Sequence, residues 1–352
     1  MLITIVYTVF IFILGLNTNM NDKKARKRYL IVSGIILILI SGLRSYYIGS
    51  GDTSRYAMMF DEDVMMSFQE IWNSVAKDPF YHVFSKALSF VVGNNFPAVL
   101  SIFALIFIVA YSILVQRESP NLLLSVIVFF TMGFYSFSMH GVRQGLAMAF
   151  VMLAFIPLKE KKIRWFLLLV YLASLFHKSA AIFIVAYPFC KLGFSKKTAV
   201  LYLVLIAILM AFGDSIVRGF ASEVAVYDER FAAYAATTKS LTYAGFIQLS
   251  LFFVLVVMNL RRFIANDPDA SMLITLLVLA LIFQVFAVFI AEMFRVAMYF
   301  SLFLVLLVPR LLQTYPSSNR KIVTYILCAL LLLYFYMIPY KLEYDFFWND
   351  TL

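Results

Sequence analysis

The sequence predicts an all-α, polytopic membrane protein with about twelve transmembrane helices and additional re-entrant or interfacial helices. Of the 352 residues, 63% are hydrophobic and only 14% are charged, whereas a soluble domain has about half its residues apolar and about a quarter charged. A third observation is a series of apolar runs, separated by short loops rich in lysine and arginine, along the whole chain. These observations predict a single integral membrane domain over residues 1–352.

The predicted spans are apolar runs that reach or approach the length needed to cross a bilayer, which is about 20 residues. They lie near 2–16, 30–43, 98–116, 121–139, 142–158, 165–176, 179–190, 199–213, 243–260, 271–291, 296–309 and 322–338. No basic residue precedes the first run and no small-residue cleavage site follows it. We therefore expect it to be a retained helix and not a signal peptide.

Short basic loops predict how these spans are oriented, because such loops face the cytoplasm. They lie at 23–28, 159–164, 191–197, 261–262 and 310–321. A topology with both termini outside places all of them inside. It requires a helix break near His177 and a segment 81–93 that re-enters or lies at the surface. The net charge of +10 is therefore interpreted as a topology signal, and no nucleic-acid partner is expected.

Two polar segments are predicted on the outer face, 44–97 and 214–242. In the first, apolar residues recur at helical intervals over 56–75, while Asp61, Glu62 and Asp63 occupy the opposite face. This pattern predicts an amphipathic helix in the membrane interface, ended by the Asp-Pro pair at 78–79. The second segment, which contains Arg230, is polar enough to form a lid.

Polar residues that interrupt the apolar segments gather on the predicted outer face. They are Arg44, Asp52, Arg55, Asp78, His82, His140, Arg143, His177, Glu292 and Arg295. Ionisable groups at membrane depth usually face a cavity and mark a functional site. Clustering on one side favours an enzyme cavity that opens outward, since a transporter more often places polar groups at mid-depth.

Each candidate also has a structural interpretation. Asp52 could act as a general base or cap a helix that begins near Thr53. Arg44 and Arg55 could bind phosphate oxygens or anchor the chain at the interface. In EMFR, Glu292 and Arg295 are three residues apart on one predicted helix face, where they would either form a self-neutralising ion pair or orient Arg295 toward phosphate.

Two further motifs combine polar residues with a predicted helix start. In HGVRQG, Arg143 and Gln144 follow His140 at the beginning of a helix, where anions are attracted; a tight turn is the alternative. In FHKSAA, His177 and Lys178 lie at the predicted break, and broken helices at membrane depth are tolerated where they line a cavity. A purely structural histidine is the alternative.

The chemistry that fits an outward-facing site is transfer from a polyprenyl diphosphate donor, because nucleotide sugars are absent outside the cell. Such a reaction needs an apolar groove, cations for the leaving diphosphate and a base for the acceptor hydroxyl. We expect Asp52 or His177 to be the base, and Arg143, Arg44, Arg55 and Arg295 to contact the diphosphate. No nucleotide or zinc motif is present, and neither a metal nor another cofactor is expected.

Several segments resemble the EpsG family of polysaccharide polymerases, which are related in function to Wzy. They are an arginine followed by GSGDTSRY, then DPFYHVFSKAL, GVRQGLAMAF and FHKSAAIF, in this order along most of the chain. EMFR is a less distinct match. One departure is Asp78, where the family's acidic-Pro-x-Tyr segment carries glutamate; Tyr81 keeps the tyrosine.

The resemblance implies a GT-C-like fold and an enzyme in the bacterial inner (plasma) membrane, with its site facing the periplasm or exterior. It implies polymerisation of repeat units linked to undecaprenyl diphosphate. Asp78, Tyr81, His140, Gln144, Lys178, Arg230 and Glu292 join the expected substrate contacts, and a chain-length regulator protein is an expected partner. The alternatives are a flippase for lipid-linked sugars and a GT-C-type single-sugar transferase.

Overall fold

A computed structural model describes residues 2–45, 52–75, 77–225, 243–337 and 344–349. Contacts divide the chain into two compact units, Met1–Ala181 with Val308–Leu352, and Ile182–Leu307. The helices up to the predicted break are α1 (Leu2–Leu16), α2 (Lys23–Gly42), α3 (Asp52–Met65), α4 (Phe68–Ser74), α5 (Pro79–Val92), α6 (Phe96–Glu118), α7 (Leu122–Thr131), α8 (Phe134–His140), α9 (Val142–Lys159) and α10 (Ile163–Phe176).

The rest of the described chain is also helical. It contains a 3-10 helix (Lys178–Val185), α11 (Ala186–Leu192), α12 (Lys196–Ala225), α13 (Ala244–Met258), α14 (Leu260–Asn266), α15 (Ala270–Phe289), a 3-10 turn (Ala291–Met293), α16 (Phe294–Ser301), α17 (Leu304–Leu312), α18 (Ser317–Met337) and a 3-10 turn (Phe347–Asn349). Within the described ranges there is no β-strand, only a β-bridge between Arg44 and Phe346. The all-helical membrane class is thus confirmed.

The predicted number of twelve spans is not confirmed. Among the described residues, five helices, α6, α9, α12, α15 and α18, are long and apolar enough to cross a membrane, and counting three bent helix pairs as single spans raises the number to eight. The difference arises because α1 and α10 are short, and because α2 includes the basic run KKARKR. The predicted span 179–190 is instead a 3-10 helix followed by the seven-residue α11.

The predicted break at His177 is confirmed. α10 ends at Phe176, His177 has extended backbone angles (φ −154°, ψ 112°), and the 3-10 helix begins at Lys178. Phe176 holds this end of α10 in place, because its ring packs against the rings of Phe80, Phe84 and Phe150 at centroid distances of 5.0, 5.5 and 5.5 Å. The position of His177 is therefore set by aromatic contacts with α5 and α9.

The two predicted outer segments differ from expectation in detail. The amphipathic segment forms two helices, because Ser67 and Glu70 make a reciprocal capping box that starts α4. The prediction that Asp63 lies on the solvated face is wrong, since Asp63 is only 2% exposed. In the second segment, α12 continues to Ala225, and residues 226–242, with Arg230, lie outside the described residues.

The core of the first unit is built around α6, which packs against α2 and α9, while α9 also packs against α10. α2 and α6 approach closely at Gly42, where an added Cβ would lie 2.0 Å from Ser101 Oγ. At their opposite ends, Arg26 of α2 donates to the Ser119 carbonyl just after α6 at 2.8 Å. The two helices are therefore antiparallel, with the basic start of α2 beside the end of α6.

A charged cluster closes this basic end of the first unit. The buried Glu118 carboxylate accepts hydrogen bonds from Lys159 Nζ at 2.6 Å and from Arg310 Nη2 at 2.9 Å. Arg117 Nε lies 3.3 Å from the same carboxylate. Arg310 Nε also donates to the Glu118 carbonyl at 2.9 Å. The cluster thus ties the ends of α6, α9 and α17 together.

Replacing Glu118 with glutamine is expected to destabilise the protein by about 3 kcal/mol, because it removes the buried carboxylate that pairs with the partly buried Arg310 and Lys159. A thermal unfolding curve of the purified protein in detergent would measure this. The matched control is Glu160→Gln, since Glu160 is exposed and solvent screens its pairs with Arg117 and Lys162, so a much smaller change in stability is expected. Equal changes in unfolding temperature for the two variants would refute the structural role of Glu118.

In the second unit α15 is the central helix, and α11, α12, α13 and α16 all pack against it. An added Cβ at Gly213 of α12 would lie 2.4 Å from the ring of Phe289, so α12 and α15 are in close contact there. Within this unit, Phe283 of α15 stacks on Phe300 of α16 with ring centroids 5.0 Å apart. Close helix contacts through small residues and aromatic stacking are common where packing has to hold helices together within lipid.

Candidate active site

Asp78 begins α5 in an unusual backbone conformation. Its φ and ψ are both 53°, in the left-handed region, and Pro79 is the first residue of the helix. The proline disfavours a right-handed helical conformation for the residue before it, and aspartate tolerates the left-handed region better than most residues. The chain therefore turns sharply at Asp78, whose side chain is buried and does not cap α5.

The Asp78 carboxylate is held by the helix break at His177. Asp78 Oδ2 lies 3.0 Å from His177 Nδ1, and the backbone N–H of Lys178 donates to Oδ1 at 3.2 Å. Burial acts to raise the pKa of Asp78, but these hydrogen bonds and the charge of Arg143 outweigh it and lower that pKa below its usual value. An ionised Asp78 accepts the Nδ1 proton, which leaves His177 Nε2 as the basic nitrogen.

Arg143 completes this cluster from the first turn of α9. Its Nη1 lies 3.5 Å from Asp78 Oδ2 and donates to the Lys77 carbonyl at 3.4 Å, while Nε donates to the Tyr56 hydroxyl at 3.4 Å. The turn that places it requires glycine at 141, where a Cβ would lie 2.8 Å from the Phe137 ring. Asp78, His177 and Arg143 are thus brought together from three separate parts of the chain.

Two tyrosine rings flank the guanidinium group of Arg143. The Cζ atom of Arg143 is 5.5 Å from the ring centroid of Tyr56 and 5.9 Å from that of Tyr81, within the range of cation–π attraction. The two rings meet edge to face with centroids 5.7 Å apart. Tyr56 was not among the predicted site residues, although it follows Asp52 by one helical turn, and that spacing could have indicated it.

The residues of GSGDTSRY do not all join this cluster. Asp52 is the first residue of α3, and both Asp52 and Arg55 are exposed. α3 packs against α8, and Asp52 lies close enough to His140 at the end of α8 for their charges to interact. Gln144 is buried beside Arg143 in α9. Asp52, which is exposed, and His140, which is half-buried, therefore lie at the same end of the first unit as the cluster.

Arg44 is buried and bonded to backbone carbonyls. Its Nη1 donates to the carbonyl and, at 2.9 Å, to the hydroxyl of Ser41, and Nη2 donates to the Met139 carbonyl at 2.5 Å. These carbonyls lie at the C-terminal ends of α2 and α8, where helix carbonyls lack intrahelical partners and favour a positive charge. Arg44 thus joins two helix ends, and the Arg44–Phe346 bridge adds residues 344–349 to the same junction.

A second charged cluster links α3 to α5. His82 Nδ1 lies 2.9 Å from both carboxylate oxygens of Asp63. Lys86 Nζ donates to the carbonyls of Asp63 at 3.3 Å and Val64 at 2.9 Å, at the end of α3. The sequence analysis did not include Asp63 or Lys86 among the candidate site residues. Of this cluster, it named only His82 among the polar residues predicted on the outer face.

The remaining predicted residues lie elsewhere. The Lys178 side chain is exposed, and only its backbone meets Asp78. Glu292 is exposed in the 3-10 turn and Arg295 is half-buried in α16, so the prediction that they share one helix is wrong: the chain leaves α15 at Phe289 and turns before α16 begins. Among the described residues, no group of three or more His, Cys, Asp or Glu side chains is arranged to hold a metal ion.

Comparison with known proteins gives one match. Neither a curated protein nor a solved structure matches the chain. A family model described as the EpsG family matches residues 27–351, nearly the whole length. The match includes every segment that forms the cluster around Asp78. The chain therefore belongs to the EpsG family, a Wzy-like family of polysaccharide polymerases.

Proposed function

We propose that this protein polymerises lipid-linked oligosaccharide repeat units at the outer face of the bacterial inner (plasma) membrane. The observation that carries the proposal is the meeting of Asp78, Arg143 and the half-buried His177 in one cluster. It combines a carboxylate, an imidazole and a guanidinium group, which are the groups expected for deprotonating an acceptor hydroxyl and stabilising a leaving diphosphate. Family membership supports polysaccharide polymerisation as the overall reaction.

In the proposed reaction His177 is the general base. The acceptor is a sugar hydroxyl of the next lipid-linked unit, and its proton passes to His177 Nε2 as its oxygen bonds to the anomeric carbon of the growing chain. The bond from that carbon to the undecaprenyl diphosphate oxygen breaks, and the electron pair leaves with the diphosphate. Asp78 keeps the imidazole in the required tautomer and stabilises its positive charge after proton transfer, as carboxylates do for catalytic histidines.

Arg143 is the proposed contact for the diphosphate. Nε and Nη1 have acceptors on Tyr56, Lys77 and Asp78, but Nη2 has no hydrogen-bond acceptor among the described residues. A guanidinium group suits phosphate oxygens, and the adjacent N-terminus of α9 attracts anions as well. Arg55 and Asp52, exposed on α3, are proposed to contact the sugar or phosphate from the open side, and Asp52 is the second candidate for the base.

The proposed outward orientation is supported by the two ends of the first unit. The basic cluster around Glu118 lies at the end of α6, while Arg143 and Val142 lie beside the start of α6, where Val142, Leu100 and Phe103 line one small cavity. The 23 residues of α6 span about 35 Å at 1.5 Å per residue, close to the thickness of a membrane. Because basic ends face the cytoplasm, the proposed site opens on the other side.

Two finer features of the proposal concern fold and partners. We place the protein with GT-C-like transferases, whose lipid-linked donors match the chemistry above, and we expect a chain-length regulator protein as its partner. Glu292, Arg295 and Arg230 remain proposed substrate contacts. An apolar groove of about 350 Å³ lined by α1, α2, Tyr344 and Phe346 lies at the same end as Arg44 and offers a surface for the prenyl chain.

Deleting the protein in its host is expected to replace the ladder of surface glycan with material carrying a single repeat unit, because units are still made and exported but no longer joined. Gel electrophoresis of the surface glycan measures this, with the wild-type gene restored as control. Complete loss of surface glycan would instead indicate the flippase alternative. Shortening of every repeat by one sugar would indicate a single-sugar transferase, and either result would overturn the proposal.

A further inference from the structure

Three ionisable side chains buried between α3 and α5 take no part in the proposed chemistry. Asp63, His82 and Lys86 are 2%, 5% and 8% exposed. The carboxylate of Asp63 contacts the ring nitrogen Nδ1 of His82, and the ammonium group of Lys86 donates to two carbonyls at the end of α3. Lys86 also lies within 5.7 Å of the ring centroids of Phe68 and Phe90.

Stability alone does not account well for such a cluster. Burying charges carries a desolvation cost, and apolar residues of similar volume often hold helices together equally well or better. What a hydrogen-bonded pair of buried polar side chains adds is a defined geometry, because it stabilises only one relative position of the two helices. The contact between Asp63 and His82 therefore fixes how α3 and α5 lie relative to each other, and with them the other residues that these helices carry.

The two helices carry the two rings that flank Arg143. Tyr81 precedes His82 on α5, and its ring meets the imidazole of His82 edge to face at 5.3 Å. Tyr56 lies about two helical turns before Asp63 on α3 and accepts the hydrogen bond from Arg143 Nε. A shift of α3 relative to α5 would therefore change the angle between the two rings and move the guanidinium group.

We propose that Asp63 and His82 are positioning residues that hold Arg143 in place through Tyr56 and Tyr81. Lys86 assists them by binding the carbonyls that end α3, where a positive charge is favoured. The catalytic consequence rests on the proposed function, but the effect on the position of Arg143 does not. The two parts can therefore be tested separately.

The first test measures the accessibility of Arg143 without any activity assay. The purified full-length protein in nanodiscs is treated with phenylglyoxal, and modification of Arg143 is quantified by mass spectrometry. Asp63→Asn is expected to increase modification several-fold, whereas the matched variant Asp61→Asn, which changes an exposed aspartate two residues earlier on α3, leaves it unchanged. Equal modification of Arg143 in the two variants and the wild type overturns the proposal. If Asp63→Asn does not fold, His82→Gln is used with the same expectation.

The second test uses polymer formation from a purified lipid-linked repeat unit. Asp63→Asn is expected to lower kcat/KM by up to about 100-fold, the effect of a displacement on the order of 1 Å in a positioned group. In an Arg143→Lys background the same change is expected to have a much smaller effect, because coupled residues are not additive. Fully additive effects overturn the positioning role. A wild-type protein that forms no polymer refutes the proposed function and leaves the labelling result valid.

Discussion

Polymer formation is expected to fall by about 10²- to 10⁴-fold when His177 is replaced with glutamine, the range that a general base contributes. Glutamine keeps similar size and polarity but cannot take up the acceptor proton. The expected loss is in kcat, because the imidazole acts on the hydroxyl during transfer and does not bind the lipid carrier. Single-turnover measurements with a purified lipid-linked repeat unit would determine it.

Substitutions at Asp78 extend this prediction to the partner of His177. Asp78→Asn is expected to cause a loss of similar size, since the amide group no longer selects the tautomer with a basic Nε2. Asp78→Glu is expected to retain part of the activity, because it keeps the carboxylate. Wild-type rates for His177→Gln and Asp78→Asn would contradict the assignment, with Asp61→Asn as the matched control.

The lowered pKa of Asp78 adds a pH dependence. The hydrogen bonds and charges around Asp78 hold its folded-state pKa below the unfolded value, which is about 3.9 for aspartate. Its contribution to stability is therefore fully present above that value and is lost as the pH falls through the folded-state pKa. Unfolding curves of the wild type and Asp78→Asn are expected to differ at neutral pH and to converge in strong acid.

Arg143→Ala is expected to lower kcat/KM for the lipid-linked substrate by about 10²- to 10³-fold. This is the loss found in other enzymes when one hydrogen-bond donor to a developing negative charge is removed. Arg143→Lys is expected to recover part of this loss, because lysine restores the charge but not the planar fork. The matched control is Arg164→Ala, which removes an exposed arginine from the start of α10. Unchanged polymer length in cells carrying Arg143→Ala would refute the role of Arg143.

Loss of activity in these variants has to be separated from loss of folded protein, because all three residues contact one another in a largely buried cluster. Abundance in the membrane and elution as a single species in detergent provide that control. A variant that is folded and inactive supports a role in the reaction. A variant whose activity falls only in proportion to its abundance contradicts that role.

Local features of the chain were predictable because they depend on neighbouring residues. Hydrophobic runs and basic loops predicted an all-helical membrane protein, and the basic residues do meet at one end of the first unit around Glu118. The break at His177 followed from the charge pattern on either side of it. The predicted number of twelve spans is not confirmed, because composition does not distinguish a short apolar helix, or a 3-10 segment, from a complete crossing.

The amino-acid sequence by itself therefore determined the fold class, the break at His177 and the membership in a family whose motifs it carries in order. Only the tertiary structure decided which polar residues meet: Asp78 pairs with His177, 99 residues away, Asp63 turns inward to His82, and Arg44 bonds to helix ends. The physical reason is that periodicity describes the face of one helix, whereas such pairings depend on how several helices pack. A charged residue on an apparently solvated face is buried when a neighbouring helix supplies its partner.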